Sequence, residues 1–329
     1  MRFSFTAAAL SALVGYSAAH TLVLDLHVNG KSTGDGDGRS INGNGPKQYI
    51  RSPPSNSPVK DLKSSDIVCN VNGGKAVKDF VPLAAGDDVT VEWYHNTPGD
   101  DIIDLSHKGP IITYIAPYSE TATGPIWTKI AEQGYKNGKW AVETLVANAG
   151  VSEAVKIPAS LKAGKYLIRQ EIIAHHESDT TYDVNPARGA QFYPACIQVE
   201  VTGTGSDVPP QNFDFSTGYT YADPGIHYNL YGADASTYKI PGPEVWTGGA
   251  GSGSAPAPSS SAAPAQPTTT AAPVASSVAA QPTTLATSVA SAAPVASSSS
   301  AAAPVATPTK APSAGCKRRR SRKARRSAH

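Results

Sequence analysis

The composition of this 329-residue chain breaks near residue 249, and the break confines any packed core to the residues before it. From Gly249 to Ser313 the chain is almost entirely Ser, Ala, Pro, Thr, Val and Gly. Such a stretch buries too little apolar surface to offset the entropy of ordering it, so residues 249–313 read as an extended, disordered linker. Their Ser/Thr/Pro richness predicts O-glycosylation on a secreted chain. Residues 314–329 follow as a basic tail in which Lys317, Arg318, Arg319, Arg320, Arg322, Lys323, Arg325 and Arg326 crowd together. Without those eight, the chain has 20 basic residues against 26 acidic ones, so a net charge of +2 conceals a mildly acidic front. That balance argues against a nucleic-acid groove there.

The other end reads as a secretory signal peptide, residues 1–19. Arg2 supplies the positive start, Phe3 to Val14 a short apolar run and Ser17-Ala18-Ala19 a small-residue cleavage site. Cleavage after Ala19 makes His20 the first residue of the mature protein, which offers an α-amine and an imidazole from one position. A free α-amine has a pKa of about 7.7–8 and can bind a metal near neutral pH. Beyond this leader no apolar run approaches the roughly 20 residues needed to cross a bilayer, so a secreted, extracellular protein is predicted. Cys69 and Cys196 lie in the foldable part and fit one long-range disulfide, while Cys316 sits in the tail without an obvious partner. The chain has no Asn-x-Ser/Thr sequon.

Between residues 20 and 248, strand-like runs recur between Gly, Pro, Asn and Asp turns: Val89 to Trp93, Ile111 to Ile115, Val155 to Ile157, Tyr166 to Ile173 and Ile197 to Val201. No long stretch has helical periodicity, and many short strands in one block of this length predict an all-β sandwich with long loops. Gly34 to Gly45 reads as a polar surface loop. Its Asp35 and Asp37 miss the calcium-loop spacing and are read as turn residues. Asp100, Asp101 and Asp104 sit in a Pro-Gly-Asp-Asp turn and read as solvated loop charges rather than a glycosidase pair. The chain lacks a His-Glu-x-x-His helix, a Gly-x-Ser-x-Gly elbow and a phosphate-binding glycine loop.

The chemistry-bearing residues gather in three runs. Ser106-His107-Lys108-Gly109-Pro110 precedes an apolar strand, Arg169 to His176 ends a strand in paired histidines, and Gly189 to Cys196 reads Gly-Ala-Gln-Phe-Tyr-Pro-Ala-Cys. If that last run is extended, alternation puts Gln191 and Tyr193 on one face and Phe192 and Cys196 on the other. One face can then serve a metal while the other anchors the disulfide.

With His20, these runs closely resemble the fungal lytic polysaccharide monooxygenases of auxiliary-activity family 9, once grouped with the glycoside hydrolases. The likeness extends over most of residues 20–247, from Leu62–Asn70 through Ser106–Tyr114, Tyr166–His176 and Gly189–Cys196 to Asp223–Ile226 and Tyr238–Pro243. It implies an immunoglobulin-like β-sandwich whose long loops form a flat copper-bearing surface. It further implies a monomeric enzyme that oxidises β-1,4-glucan, typically cellulose, at C1 or C4, using O2 or H2O2 and an external electron donor.

Carried over by position, His20 (amine and ring) and His107 hold one copper ion, with Tyr193 in the distant axial position. Gln191 contacts the oxygen species, and His176 is the histidine beside it. Three nitrogens in a tetragonal arrangement suit Cu(II). Tyr231 and Tyr238 match tyrosines that stack on sugar rings, for which a flat aromatic face is needed. Two features depart from the family: His175 replaces an apolar residue, and the stretch Glu177 to Arg188 is longer. Alternation turns His175 and His176 to opposite sides, and the motif selects His176. The competing reading is a non-catalytic copper- or glycan-binding sandwich. A binder has no need of the Gln191, Tyr193 and His176 group.

Overall fold

A computed structural model describes residues 20–38 and 47–249. The readings of residues 1–19 as a leader, of Gly249–Ser313 as a linker beyond its first residue, and of the basic tail with Cys316 fall outside those residues.

Two sheets face each other. One runs β2 (Lys31–Ser32), β1 (Leu22–Val28), β4 (Asp88–Tyr94), β9 (Val155–Lys156), all antiparallel. The other runs β3 (Val81–Ala84), β11 (Gln191–Thr202), β10 (Gly164–Ala174), β5 (Ile111–Pro117), β6 (Thr128–Gln133), with β3 alone parallel to its neighbour. A small hairpin, β7 (Tyr135–Lys136) and β8 (Lys139–Trp140), leads into α2 (Ala141–Ala147). The five sequence-marked runs fall inside β4, β5, β9, β10 and β11, apart from Ile157, which lies just past β9. β1, β3 and β6 form outside them. The strand-rich sandwich expected from the turn spacing is the architecture found.

Alternation along the two longest strands divides the interior into two layers. Ile168, Ile172 and Ala174 of β10, with Tyr193, Ala195, Ile197 and Val199 of β11, face the first sheet and pack on Val23, Val91 and Trp93. Leu167 and Ile173, with Phe192 and Cys196, face outward. They are covered by the short helix α1 (Asp66–Cys69) and by the segment bearing Phe213, Phe215, Tyr219 and Ile226. Both faces of this sheet are therefore apolar, which suppresses the polar-out pattern that marks a one-sided strand.

The outward layer also holds charge. Arg169 and Glu171 are fully buried and paired at 2.8 Å. Arg169 donates to the carbonyls of Val68 at 2.5 Å and Ile67 at 2.9 Å, fixing α1, and its guanidinium lies 3.6 Å from the Phe215 ring centre. Cys69 at the end of α1 is bonded to Cys196 on β11, with Cα atoms 5.3 Å apart.

The expected surface loop at Gly34–Gly45 is corrected where it is described. Asp35, Gly36 and Asp37 are buried, because the segment folds down over β1: Gly36 donates to the Leu24 carbonyl at 2.9 Å and Tyr94 donates to Asp37 at 2.8 Å. A Cβ on Gly36 would lie 2.1 Å from the Tyr49 ring, so the glycine is set by close approach rather than by a turn. At the far end of the fold, Gly249 donates to Asp207 at 2.7 Å, and Asp207 donates to the Ser160 carbonyl at 2.8 Å. The described chain thus ends beside the start of β10, whereas His176 follows that strand's other end.

The disulfide closes a loop of 127 residues. Replacing both Cys69 and Cys196 by Ser should lower the unfolding free energy by about 2–5 kcal/mol. Urea titration of the double variant checks this, and an unchanged midpoint would count against the bond.

Candidate metal centre

Four elements converge at the end of the sandwich opposite Gly249. His20 immediately precedes β1, whose Leu22 pairs with Tyr94 at the end of β4. His107 lies in the connection between β4 and β5, where its backbone N–H bonds the Asp104 carbonyl at 2.9 Å. Gln191 opens β11 opposite Ala174, Tyr193 pairs with Ile172, and His176 follows β10 by two residues. The rings of His20, His107 and Tyr193 form a triangle with centroids 6.1, 6.0 and 6.1 Å apart. His176 lies 4.1 Å from His107.

Burial and crowding leave these imidazoles neutral. Desolvation lowers His107 to about 3, reinforced by His176 and His20. His20 is lowered by burial first, then by His95 and His176, and His176 by burial against the pull of Glu177 and Asp104. Neutral imidazoles expose lone pairs, the state in which histidine binds a metal. His107 Nε2 is buried and has no hydrogen-bond partner among the described residues, whereas its Nδ1 reaches Ser106 Oγ at 3.3 Å. Unsatisfied buried nitrogens are costly. A metal bound at Nε2 would satisfy this one, so the donor set fits a transition-metal ion held by nitrogen.

A hydrogen-bond chain backs the triangle. Tyr193 donates to Gln191 Oε1 at 2.7 Å, which turns the Gln191 amide nitrogen toward His176 Nε2 at 3.1 Å and Glu177 at 3.2 Å. His176 Nε2 is then an acceptor and Nδ1 carries the proton; Nδ1 is buried and unpartnered. Desolvation, with Glu177 adding to it, raises Tyr193 well above the ordinary phenol range, so it stays a protonated donor. Glu177 belongs to this chain, and its place directly after the histidine pair was the available signal.

The two adjacent histidines separate. His176 turns to His107 and Gln191. His175 is buried on the other side against Tyr228 and Tyr238. The tyrosines read as sugar platforms also differ. Tyr231 is 76% exposed, while Tyr238 is half-buried with its hydroxyl near His175 and the Gly225 carbonyl. The 177–188 stretch is ordered by its own contacts: Arg188 pairs with Asp179, Asn185 donates to the Thr181 carbonyl at 3.0 Å, and Gly189 to that of Glu177 at 3.1 Å.

Of the three loop aspartates, Asp101 and Asp104 are exposed and Asp100 is half-buried. Asp100 accepts backbone N–H bonds from His95, Asn96, Thr97 and Ile102 at 2.7–3.1 Å. Burial would raise its pKa, but these four donors outweigh it and hold the carboxyl below its usual value.

A sequence model of Auxiliary Activity family 9 (formerly GH61) matches residues 20–238. An "AA9 family lytic polysaccharide monooxygenase A" of Collariella virescens is 50% identical over 251 residues, covering 74% of this chain and 88% of that protein. A protein of the same description from Schizophyllum commune is 45% identical over 247 residues, covering 73% and 94%. Among solved structures, CvAA9A superposes with a TM-score of 0.64 at 52% identity over 69% of this chain and 98% of its own. The extended catalytic domain of H. jecorina LPMO9A does so at 0.57 and 28%, over 70% and 94%.

The depressed His107 gives a pH signature. Its folded pKa lies below its unfolded value of about 6.5, so the unfolded chain binds the extra proton and metal-free stability falls as pH drops from about 6.5 toward 3. In His107→Gln that decline should be shallower by about 1.4 kcal/mol per pH unit, one proton's worth. Denaturant titrations of the metal-free proteins at pH 4, 5 and 6 measure it, and parallel curves would contradict a neutral buried His107.

Proposed function

The chain belongs to Auxiliary Activity family 9, the copper-dependent lytic polysaccharide monooxygenases, and from that membership we infer that His20 and His107 hold its copper ion. The observation carrying this assignment is the buried, unpartnered Nε2 of His107, whose ring forms a triangle with those of His20 and Tyr193. In this reading residues 1–19 are removed on secretion, and the α-amine of His20 becomes the third nitrogen. Residues 20–248 act as a monomeric extracellular domain, with residues 249–313 a linker and 314–329 a basic tail. The substrate is β-1,4-glucan, cellulose first, attacked at C1 or C4.

Bound copper supplies one-electron redox chemistry toward O2 or H2O2, fed by an external reductant. The protein contributes placement and hydrogen bonds. Tyr193 keeps its phenol proton and anchors Gln191 through Oε1, which fixes the amide's N–H group beside His176. His176 carries its proton on Nδ1, buried and uncommitted, 4.1 Å ring to ring from His107; as a neutral imidazole it can donate a hydrogen bond from Nδ1 to an incoming oxidant. Glu177 holds the second Gln191 N–H at 3.2 Å, so the amide cannot swing away. Tyr231, exposed in a surface groove with Ser106 and Lys108, is placed to stack on a sugar ring beside the site. A non-catalytic binder would leave the Tyr193–Gln191–His176 chain without a task.

Oxidised oligosaccharides released from cellulose in the presence of a reductant, read by mass spectrometry, are the expected product; their absence with copper bound would favour the binder. Any residue retained before His20 should abolish tight tetragonal Cu(II) binding, and an unchanged paramagnetic resonance spectrum in such a protein would overturn the ligand assignment. His176→Ala and Gln191→Ala should keep copper yet lose about 10–100-fold in turnover. Loss of the metal itself in either variant would make that residue a ligand instead.

A further inference from the structure

Asp104 stands three residues before His107, and a turn closes around its carboxylate. The Ser106 N–H donates to Asp104 Oδ1 at 2.7 Å, and the His107 N–H donates to the Asp104 carbonyl at 2.9 Å. An aspartate side chain that accepts from the backbone two residues on is the usual device for such a turn. The turn itself needs only these backbone bonds. Here the Ser106 hydroxyl also bonds the carboxylate. That bond, ahead of the one from the Ser106 N–H, holds Asp104 below the usual carboxylate range against its burial. The same Ser106 Oγ lies 3.3 Å from His107 Nδ1. Lys108, next in the chain, pairs instead with Glu143 at 3.4 Å.

Donor and acceptor capacity fixes the direction of this chain. His107 is neutral and its Nε2 is buried without a hydrogen-bond partner, so a proton placed there would be a buried donor with nothing to receive it. The ring proton therefore sits on Nδ1 and is directed to Ser106 Oγ. A carboxylate only accepts, so the Ser106 hydroxyl gives its single hydrogen to Asp104 and takes the ring N–H on a lone pair. The chain runs from His107 Nδ1–H through Ser106 Oγ–H to the Asp104 carboxylate and ends in a charge-assisted bond. His176 lies 4.1 Å from His107, ring to ring, yet its Nδ1 is buried and unpartnered among the described residues. Of these two touching imidazoles, His107 is the one whose second nitrogen donates toward an anion.

We propose that Asp104 is a positioning residue for the copper site, acting on His107 through the Ser106 hydroxyl. It locks the ring in the Nδ1–H tautomer before any metal arrives, and it makes Nε2 a stronger donor to Cu(II). A histidine ligand gains basicity when its other ring N–H is held by a carboxylate, and loss of such a partner costs about 10–100-fold in metal affinity. Asp104 and Ser106 are both exposed, and a serine stands between the charge and the ring, so the lower end of that range applies. Added electron density on a ligand nitrogen favours Cu(II) over Cu(I). The chain thereby lowers the reduction potential of the bound ion.

This inference rests on the assignment of His107 as a copper ligand, and the test separates the two. Ser106→Ala removes the hydroxyl but keeps the backbone bonds of the turn. Asp104→Asn removes the charge but keeps an acceptor for the Ser106 N–H. In the copper-loaded protein each should weaken the hold on Cu(II) relative to Cu(I) about tenfold, a rise of about 59 mV in potential, with the tetragonal resonance spectrum retained. The double variant should shift no further than either single one, because both cut the same chain. Ser106→Thr keeps a hydroxyl and should hold the wild-type potential. A wild-type potential in Ser106→Ala or Asp104→Asn, or additive shifts in the double variant, overturns the chain and leaves His107 as a ligand. Wild-type Cu(II) affinity in His107→Gln overturns both. Nitrogen NMR of the metal-free, unmodified protein at neutral pH needs no variant to fold. A protonated Nδ1 on His107 supports the proposal, and a protonated Nε2 defeats it.

Discussion

A slip of one residue between β10 and β11 would turn every side chain on the moved strand to the opposite face. The metal-facing set and the disulfide-bearing set would change places. The pairing is continuous from Gly164 opposite Val201 to Ala174 opposite Gln191, so this register sets where the functional groups stand. Tyr193 reaches the histidine triangle because Phe192 and Cys196 are committed to the outer layer. The Cys69–Cys196 bond and the arginine that grips α1 both lie on that outer face and act as pins against slippage.

The pins carry their own cost. Arg169 and Glu171 are wholly removed from water, and such a pair is tolerated only when its remaining donors and acceptors are occupied. They largely are: Arg169 reaches two carbonyls of α1 and covers Phe215, and Tyr219 donates to Glu171 at 2.5 Å. The same residues hold the segment after residue 203 over the sheet. The outer layer is thus a polar clamp embedded in apolar packing, and it rigidifies the strand whose far end carries His175 and His176.

Much of this was legible in the sequence, for identifiable reasons. Strands such as Ile111–Pro117 announced themselves by β-branched runs between turn residues, and the extended form of Gln191–Cys196 followed from period-two alternation. β1 was harder to see. Its Asp25 is buried under Thr33 and Tyr49, so a charged residue stands where a core position would be. The burial of Gly36 was hidden too, since a glycine chosen for close approach to Tyr49 looks like one chosen for a turn. At the site, His107 and His176 were visible through the motifs around them. The turning of His175 and His176 to opposite sides followed from alternation, whereas the place of Glu177 beside Gln191, and the partners His175 finds in Tyr228 and Tyr238, depended on contacts that sequence spacing does not give. Tyr238 likewise looked like a surface ring until the 225–240 segment was seen to fold its hydroxyl inward.

The tie between Gly249 and Asp207 gives the molecule a polarity. The histidines crowd one pole, at the start of β1 and the end of β10. The chain leaves the sandwich at the other pole, with the length of β10 between them, roughly 35 Å at about 3.3 Å per residue. An attachment made directly at residue 249 therefore holds the protein at the pole opposite the histidine face. Attachment and chemistry are divided between opposite ends of one strand, so immobilisation or fusion at the C-terminal side is compatible with a site that requires an unencumbered His20.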